Sequence, residues 1–254
     1  MVATRDRPRL LADALASVAA QTYPNWEVVV VNDGGAPVED IARAELGARV
    51  RVLSHAESEG PAYARNTGLA QVRGDVVVFL DDDDRLAPGH LRNLVGALAD
   101  GAFGIAYSGC DIVMETLDGA ARTELSRGRQ PMPAEFSRGL LLVRNFIPLD
   151  CCAIRAELFA AAAGFDELLP CLEDWELLLR LSKDAAVVHV PESTAEYRMR
   201  GLEVQDSVSK KRSSDAASAF ARIYGRHESA DPLVALARAV YRWLVLSGNY
   251  AALG

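Results

Sequence analysis

Long apolar runs are missing from this sequence of 254 residues. Stretches such as residues 28–31 and 76–80 are far shorter than the ~20 residues that a membrane-spanning helix requires. The apolar core of a secretory leader is missing too, because charged side chains occupy positions 5, 6, 7 and 9, where that core would begin. We therefore expect a cytoplasmic protein without a membrane-spanning segment.

Cysteine and histidine are both scarce, with four residues of each type. No two cysteines form a CxxC pair, and the adjacent Cys151 and Cys152 are poorly placed for a disulfide or a shared metal. Free thiols are therefore expected, as in a reducing compartment. The histidines are scattered along the chain, which provides no histidine-rich metal site.

Basic charge is in deficit, since 27 Lys and Arg residues face 35 Asp and Glu residues, for a net charge of −8. General nucleic-acid binding needs a basic face, so a nucleic-acid partner is not expected. An anionic ligand can still bind wherever a metal or an arginine offsets the repulsion from the negative charge of the chain. Hydrophobic residues make up 50% of the chain, which is enough for a folded protein with a sizeable core.

Strand-like and helix-like segments alternate along the first half of the chain. Runs rich in β-branched residues are typical of strands buried on both faces of a parallel sheet, and they lie at residues 27–31, 49–53 and 75–80. Apolar residues at helical spacing, or a proline at a helix start, predict helices at residues 8–20, 61–70 and 89–99. This alternation predicts an α/β fold built from βαβ units. Only three residues precede the polar segment 4–8, so the first strand is either short or lacks its start.

The second half is less regular. Strands are expected at residues 102–113, 150–154, 187–190 and 195–199. Helices are expected at residues 156–163, 174–181, 209–225 and 232–247. The last helix combines a leucine-rich face with arginines, Tyr241 and Trp243, so it either packs on the domain or contacts a membrane surface.

Carboxylates follow two of the predicted strands directly. Asp33 follows the strand at 27–31, and the run Asp81 to Asp84 follows the strand at 75–80. Ligands of open α/β sheets bind in the crevice at such strand ends. Four adjacent aspartates repel one another, so the run is either a solvated acidic turn or a site for Mg²⁺ or Mn²⁺, which prefer oxygen ligands. The segment 32–35 is likewise a good turn sequence, so a structural role for Asp33 stays open.

Two further carboxylates, Glu173 and Asp174, stand at the start of the predicted helix 174–181. A helix N-terminus favours negative charge, so an ordinary capping role is one interpretation. The other is a general base, which must be ionised at the working pH and face a hydroxyl group.

Taken in chain order, these segments resemble the family 2 glycosyltransferases, which have the GT-A fold. The resemblance depends on Thr4-Arg5-Asp6-Arg7-Pro8, Ser17 with Gln21-Thr22-Tyr23-Pro24-Asn25-Trp26-Glu27, Val31-Asn32-Asp33-Gly34, Gly60 with Arg65-Asn66-Thr67-Gly68, Gly74-Asp75 with the Asp81–Asp84 run, Gly164-Phe165-Asp166-Glu167, and Glu173-Asp174-Trp175. Each motif alone is weak, and their order makes the match specific.

The resemblance covers residues 1 to about 200. It implies one Rossmann-like, mostly parallel central sheet flanked by helices, in a GT-A domain at 1–200. The nucleotide-binding half would be 1–100 and the acceptor half 101–200, followed by a helical extension at 201–254.

The resemblance also implies an activity, namely inverting transfer of a sugar from a nucleoside-diphosphate sugar, of UDP type in preference, to the hydroxyl of a sugar, a lipid-linked or another acceptor. The nucleotide-binding residues would be Thr4, Arg7, Asp33, Arg65, Asp81 and Asp82. Asp83 would bind Mg²⁺ or Mn²⁺, with the register of the aspartate run open by one residue. Asp174 would be the catalytic base, with Glu173 beside it and Trp175 packed under the acceptor site. The arginine-rich stretch 118–148 would be a mobile loop that recognises an acidic or phosphate-bearing acceptor through Arg127 and Arg129.

One position departs from the family pattern. Many relatives carry a metal-contacting histidine after a Tyr-Arg pair, but here Tyr197-Arg198-Met199 is followed by Arg200. Arginine cannot bind a metal, although it can bind a diphosphate as a cation, so we expect weakened metal affinity.

Two alternative functions remain open. A sugar nucleotidyltransferase would need a glycine-rich phosphate loop near the N-terminus, and residues 4–9 contain no glycine. A non-catalytic nucleotide-sugar-binding domain is favoured by the short first strand and Arg200, and opposed by the Glu173-Asp174 pair.

Overall fold

The computed structural model describes residues 1–118, 121–200 and 205–247, with the backbone alone over 205–214. Its strands and helices follow one another as β1 (Val2–Thr4), α1 (Pro8–Ala19), β2 (Val28–Asn32), α2 (Glu39–Leu46), β3 (Val50–Ser54), α3 (Pro61–Leu69), β4 (Val76–Val78), β5 (Leu80–Asp81), β6 (Arg85–Leu86), α4 (His90–Ala97), β7 (Ile105–Asp118), β8 (Ala121–Arg129), α5 (Arg138–Val143), β9 (Cys152–Arg155), α6 (Ala156–Ala162), α7 (Glu173–Leu181), β10 (Val187–Arg200), α8 (Gln205–Arg226) and α9 (Pro232–Leu246).

The first sheet is parallel throughout, with the strand order β3-β2-β1-β5. All five residues of β2 are buried, because both faces of the sheet are covered. Val28 and Val30 face the main core, whereas Val29 and Val31 pack with Ala64 of α3 on the opposite face. The three-residue strand β1 lies between β2 and β5, so the ends of these three strands meet at one edge.

The strand expected at 75–80 is divided between two sheets at Phe79. β4 pairs antiparallel with β9, whereas β5 pairs parallel with β1. The Phe79 side chain is 1% exposed and packs edge-on against Phe159 and Phe165. A uniformly apolar run does not reveal such a change of partner, since every residue in it suits a buried strand.

The second sheet is mixed and has six strands, in the order β4-β9-β7-β10-β6 with β8 also paired to β7. The α/β class, with parallel strands flanked by helices, is confirmed, and the strands expected in one central sheet are distributed over two. The strands expected at 187–190 and 195–199 form the single strand β10, whose register along β7 shifts around Ser193.

The prediction of a mobile loop over 118–148 is wrong for much of that stretch. β8 pairs antiparallel with β7, and α5 begins after Ser137, whose side chain accepts a hydrogen bond from the backbone N–H of Leu140. Nearly all of β8 is exposed, so it lacks the alternation of apolar residues that marks a half-buried strand. Its backbone hydrogen bonds to β7 form the strand instead.

Both C-terminal helices are present, close to the predicted bounds. Phe220 and Ile223 of α8 lie in the same hydrophobic core as Trp175 of α7. The division of the chain near residue 200 stays a prediction. Within 1–118, 121–200 and 205–247, no helix combines the length and apolar character needed to cross a membrane.

Candidate active site

The ends of β1 and β5 bring four predicted site residues together. Thr4 Oγ1 donates a hydrogen bond of 2.6 Å to Asp82 Oδ2, and both residues are buried. Arg7 Nη1 lies 3.2 Å from Asp82 Oδ1 and 3.0 Å from Asp83 Oδ2. Burial raises the pKa of Asp82, although the Thr4 hydroxyl and the Arg7 cation oppose this. The end of β1 and the segment that follows it thus both contact the acidic cluster.

Three carboxylates of the aspartate run converge. Oxygen atoms of Asp81, Asp83 and Asp84 all lie within 4.8 Å of one another. This set of oxygen donors fits a divalent cation such as Mg²⁺ or Mn²⁺. The carboxylate of Asp82 is outside the set because it faces Thr4. Asp84, to which the sequence analysis assigned no role of its own, takes the third position, since the irregular turn after β5 breaks the strict alternation of side chains.

Asp84 forms a buried pair with Asp150, and the sequence contains no cue to this pairing. Asp84 is 1% exposed, accepts the backbone N–H of Arg198 at 2.6 Å and is hydrogen-bonded to the Asp150 side chain. The backbone N–H of Asp81 donates to Asp150 Oδ1 at 3.0 Å. Burial raises the pKa of Asp84 to about 7 and raises that of Asp150 well above its ordinary value.

Arginines surround the other side of Asp83. Arg200 Nη1 lies 3.0 Å from Asp83 Oδ2, the oxygen that Arg7 also contacts. Glu115, on β7, is fully buried and accepts hydrogen bonds from Arg122, Arg198 and Arg200. Burial alone would raise the pKa of Glu115, but these cations lower it. No sequence motif marks Glu115 or Arg122, which the pairing of β7, β8 and β10 brings to the site.

Arg65 connects the two predicted halves of the site. It lies on α3, is 8% exposed, and donates to Asp81 Oδ1 at 2.9 Å and to Glu173 Oε1 at 2.5 Å. Its guanidinium also stands 5.6 Å from the centre of the Phe165 ring. Burial opposes its charge, yet the carboxylates around it raise the pKa of Arg65 above its ordinary value.

Asp174 lies in the first turn of α7 and accepts a hydrogen bond of 2.9 Å from Asn145 Nδ2. Burial, followed by the charge of Glu173, raises its pKa to about 6, while Arg65 opposes the shift. Asp174 is therefore ionised at neutral pH and able to take a proton. The residue at the N-cap position is Leu172, without a side-chain cap, so neither Glu173 nor Asp174 occupies the N-cap.

Trp175 is a core residue. Its side chain is 1% exposed, donates from Nε1 to the carbonyl oxygen of Leu141 at 2.7 Å, and packs edge-on against Phe220 and Tyr224. It joins α7 to α5 and α8, so it supports the turn that carries Asp174.

Asp33 accepts hydrogen bonds within the segment 55–60 rather than from the aspartate run. Its two oxygens receive four donors, and the bond lengths are between 2.7 and 2.9 Å: His55 Nδ1, Ser58 Oγ and the backbone N–H groups of Glu59 and Gly60. Burial would raise its pKa, but these donors lower it. The neighbouring Gly34 has φ +73°, and a Cβ there would lie 2.5 Å from the backbone at Glu57. The structure therefore gives Asp33 a role in holding this loop, and its predicted contact with the nucleotide stays a prediction.

The model of the family described as "Glycosyl transferase family 2" matches residues 1–160. The chain belongs to glycosyl transferase family 2. It is 26% identical over 197 residues to the uncharacterized glycosyltransferase YwdF of Bacillus subtilis, a match that covers 78% of this chain and 72% of that protein. The pre-mycofactocin glycosyltransferase of Mycobacterium tuberculosis is 28% identical over 227 residues, and the chain spans about half of its length, 87% of this chain against 47% of the relative.

Solved structures show the same fold at low identity. TarS 1–349 of S. aureus in complex with UDP-GlcNAc has a TM-score of 0.69 at 18% identity, covering 99% of this chain and 74% of that one. The mannosyltransferase PcManGT from Pyrobaculum calidifontis, in complex with GDP-Man and Mn²⁺, has a TM-score of 0.70 at 19% identity, covering 100% and 74%. This glycosyltransferase thus has the GT-A fold that the order of its motifs predicts.

Proposed function

We propose that this family 2 glycosyltransferase transfers a sugar, with inversion, from a nucleoside-diphosphate sugar of UDP type to an acceptor hydroxyl. The observation that carries the proposal is the double contact of Arg65 with Asp81 and Glu173, because it joins the carboxylates of the donor side to those of the acceptor side. The neighbours solved with UDP-GlcNAc and with GDP-Man and Mn²⁺ support a nucleotide-sugar donor. The nucleotide would contact Thr4, Arg7, Asp33, Arg65, Asp81 and Asp82.

A divalent metal, Mg²⁺ or Mn²⁺, would be held by Asp81, Asp83 and Asp84. When bound, it would neutralise charge on the leaving diphosphate. Arg7 and Arg200 lie at the same place, since both contact the Asp83 carboxylate. Guanidinium groups bind diphosphate oxygens well, so both arginines would turn to the donor once Asp83 is engaged elsewhere.

Asp174 is our candidate for the general base. Its pKa of about 6 leaves it ionised at neutral pH, and it lies in the first turn of α7. Glu173 is less suitable, because its Oε1 is engaged by Arg65. In one in-line step, the acceptor oxygen would bond to the anomeric carbon as the bond from that carbon to the diphosphate oxygen breaks. The proton of the hydroxyl would pass to Asp174, and the single displacement would invert the anomeric centre.

The decisive variant is Asp174→Asn, which keeps the size of the side chain and removes the base. We expect donor binding, measured by calorimetry, to remain, while transfer falls by roughly a thousandfold or more. Asp184→Asn, at an exposed position after α7, is the matched control. Normal transfer by Asp174→Asn would remove Asp174 from the proposed role.

The donor and the acceptor need a separate screen. Thermal shift with nucleotides and nucleotide sugars, with and without Mn²⁺, identifies the donor because a selective ligand stabilises the folded state. Donor binding without transfer across a broad panel of sugar and lipid-linked acceptors would favour the non-catalytic alternative. Release of pyrophosphate from a nucleoside triphosphate and a sugar phosphate would favour a nucleotidyltransferase.

We further propose that the enzyme works in the cytoplasm and touches the inner face of the membrane through α9. Large apolar side chains of this helix are 41–73% exposed along one side, at Leu233, Leu236, Val240, Trp243 and Leu246. Helices that combine such an apolar stripe with tryptophan and arginine bind at the interface between membrane and water. This placement would bring the active site near a lipid-linked acceptor.

A further inference from the structure

Asn145 lies in the segment between α5 and β9 and has a defined orientation beside Asp174. Its Nδ2 donates to Asp174 Oδ2 at 2.9 Å, and its Oδ1 accepts the backbone N–H of Ile147 at 3.3 Å. The second contact fixes which end of the amide faces the carboxylate, because an N–H donor must be met by the oxygen. The nitrogen of Asn145 is therefore directed at Asp174.

The segment that carries Asn145 is anchored on both sides. Phe146 and Ile147, the next two residues, are each 2% exposed. The carbonyl oxygen of Phe146 accepts a hydrogen bond of 3.0 Å from Gln130 Nε2. Because this loop is well packed, the Asn145 side chain has little conformational freedom, which favours one fixed geometry beside the Asp174 carboxylate.

The C-terminal helices hold the other end of the same segment. Carbonyl groups in the last turn of α5 have no partner within that helix. Tyr224 of α8 donates its hydroxyl to the carbonyl oxygen of Val143 at 2.7 Å, and Arg238 of α9 donates from Nε to that of Leu142 at 2.7 Å. Arg238 also stacks on the Tyr224 ring, 4.6 Å from its centre. Helices α8 and α9 thereby support the residues just before Asn145.

We infer that Asn145 is a positioning residue for the proposed base: it holds Oδ2 of Asp174, leaves Oδ1 for the acceptor hydroxyl, and is itself kept in place by α8 and α9. The inference rests on the proposed function of Asp174. An amide suits this task because it donates a hydrogen bond without titrating, so it does not compete for the proton. A carboxylate at position 145 would repel Asp174.

Several charged or titratable groups face Asp174 from the surrounding elements. Glu173 on α7 and Asp81 at the end of β5 raise the pKa of Asp174, and Arg65 on α3 lowers it. The charge of Asp174 in turn raises the pKa of the Cys152 thiol on β9. The Asn145 donor stabilises the ionised form, as Arg65 does. Loss of that donor should therefore raise the pKa of Asp174.

The experiment compares wild type with Asn145→Ala and Asn145→Asp. Asn145→Ala should lower kcat by roughly tenfold or more with the donor KM nearly unchanged. The acid limb of the kcat/KM profile should move up by about half a pH unit, and further in Asn145→Asp. Tyr224→Phe, which removes only a hydroxyl, should change kcat in the same direction by a smaller factor. Asn93→Ala, on α4, is the control, since Asn93 donates no hydrogen bond to a site residue in the described part of the chain.

A second readout does not depend on turnover. The carboxyl ¹³C resonance of Asp174, identified by its loss in Asp174→Asn, should titrate at higher pH in Asn145→Ala than in wild type. An unchanged titration of Asp174 in Asn145→Ala would overturn the inference. So would an equal loss of kcat in Asn145→Ala and Asn145→Asp with the acid limb of the profile unmoved. A shifted titration in a protein that transfers no sugar to any acceptor would contradict the proposed function alone.

Discussion

Arg200 forms an ion pair with Asp83, with Nη1 of the arginine 3.0 Å from Oδ2 of the aspartate. The same oxygen is 3.0 Å from Arg7 Nη1. Two guanidinium groups therefore contact the carboxylate that the family resemblance assigns to the metal. Arg200 also forms an ion pair with Glu115, with Nε of the arginine 3.2 Å from Oε1 of the glutamate. A metal at this carboxylate must therefore compete with two cations, which gives the expected weakening of metal affinity a physical cause.

Replacing Arg200 should consequently strengthen metal binding. Arg200→Gln removes one competing cation, and we expect the affinity for free Mn²⁺ to rise by roughly threefold to tenfold, as for the loss of a partly exposed ion pair. Electron paramagnetic resonance of Mn²⁺ without nucleotide measures this directly. Arg92→Gln, on the exposed side of α4, should leave the affinity unchanged. Equal or weaker Mn²⁺ binding by Arg200→Gln would show that Arg200 does not compete with the metal.

The pH dependence of transfer should respond to Glu173. The charge of Glu173 is the second largest cause of the raised pKa of Asp174, after burial. Because only the ionised base is active, transfer falls as the pH drops through about 6, the pKa of Asp174. In Glu173→Gln this acid limb should move to lower pH, opposite to the change expected for Asn145→Ala. Profiles of kcat/KM test this, with Glu167→Gln as the control, and an unmoved limb would contradict the electrostatic coupling.

Stability at neutral pH should depend on Asp33. Its folded-state pKa is lowered, so the stabilisation is present above the unfolded value near 4 and is lost as the pH falls through the folded value. Asp33→Asn should lower the free energy of unfolding by on the order of 2 kcal/mol at pH 7, because two backbone N–H groups lose a charged acceptor. Urea unfolding should show a smaller difference in acid. Asp40→Asn, exposed on α2, should have little effect, and a similar loss there would point to net charge instead.

The exposed stripe of α9 should bind lipid vesicles. Leu236 is 63% exposed on the stripe, whereas Leu168 is 70% exposed outside it, so the two leucines form a matched pair. Leu236→Glu should reduce co-sedimentation with anionic vesicles severalfold, and Leu168→Glu should leave it unchanged, because only the stripe inserts. If neither variant changes co-sedimentation, or wild type does not sediment, α9 does not bind the membrane. A dimer lost in Leu236→Glu would assign the stripe to a second copy of the chain.

Local sequence patterns were sufficient for most elements. The β-branched runs before Asp33 and Asp81 are strands, and the proline-led segments after Arg7 and Gly60 are helices. The pattern failed at Phe79, where the strand changes sheets, and at β8, where exposure on both faces removes any periodicity. Hydrophobic periodicity reports burial, and it does not report which strand is the partner.

The candidate site divides in the same way. Thr4, Arg7, Arg65, Asp81, Asp83 and Asp174 could be selected from motifs in chain order, although their roles stay predictions. The acidic set contains Asp84 and not Asp82 because the turn after β5 directs Asp82 to Thr4. No sequence motif marks Glu115, Asp150 or Asn145, because each of them contacts its partner only in the tertiary structure.

The sequence by itself determined the family, the α/β class and the strand ends at which carboxylates gather, since these follow from short-range patterns and their order. Tertiary structure alone decided which charged and polar side chains meet: Arg65 between Asp81 and Glu173, Arg200 on Asp83, and Asn145 on Asp174. Those pairs lie far apart along the chain, and the interaction of two charges or a hydrogen-bonded pair depends on distance in space, which only the packed fold sets.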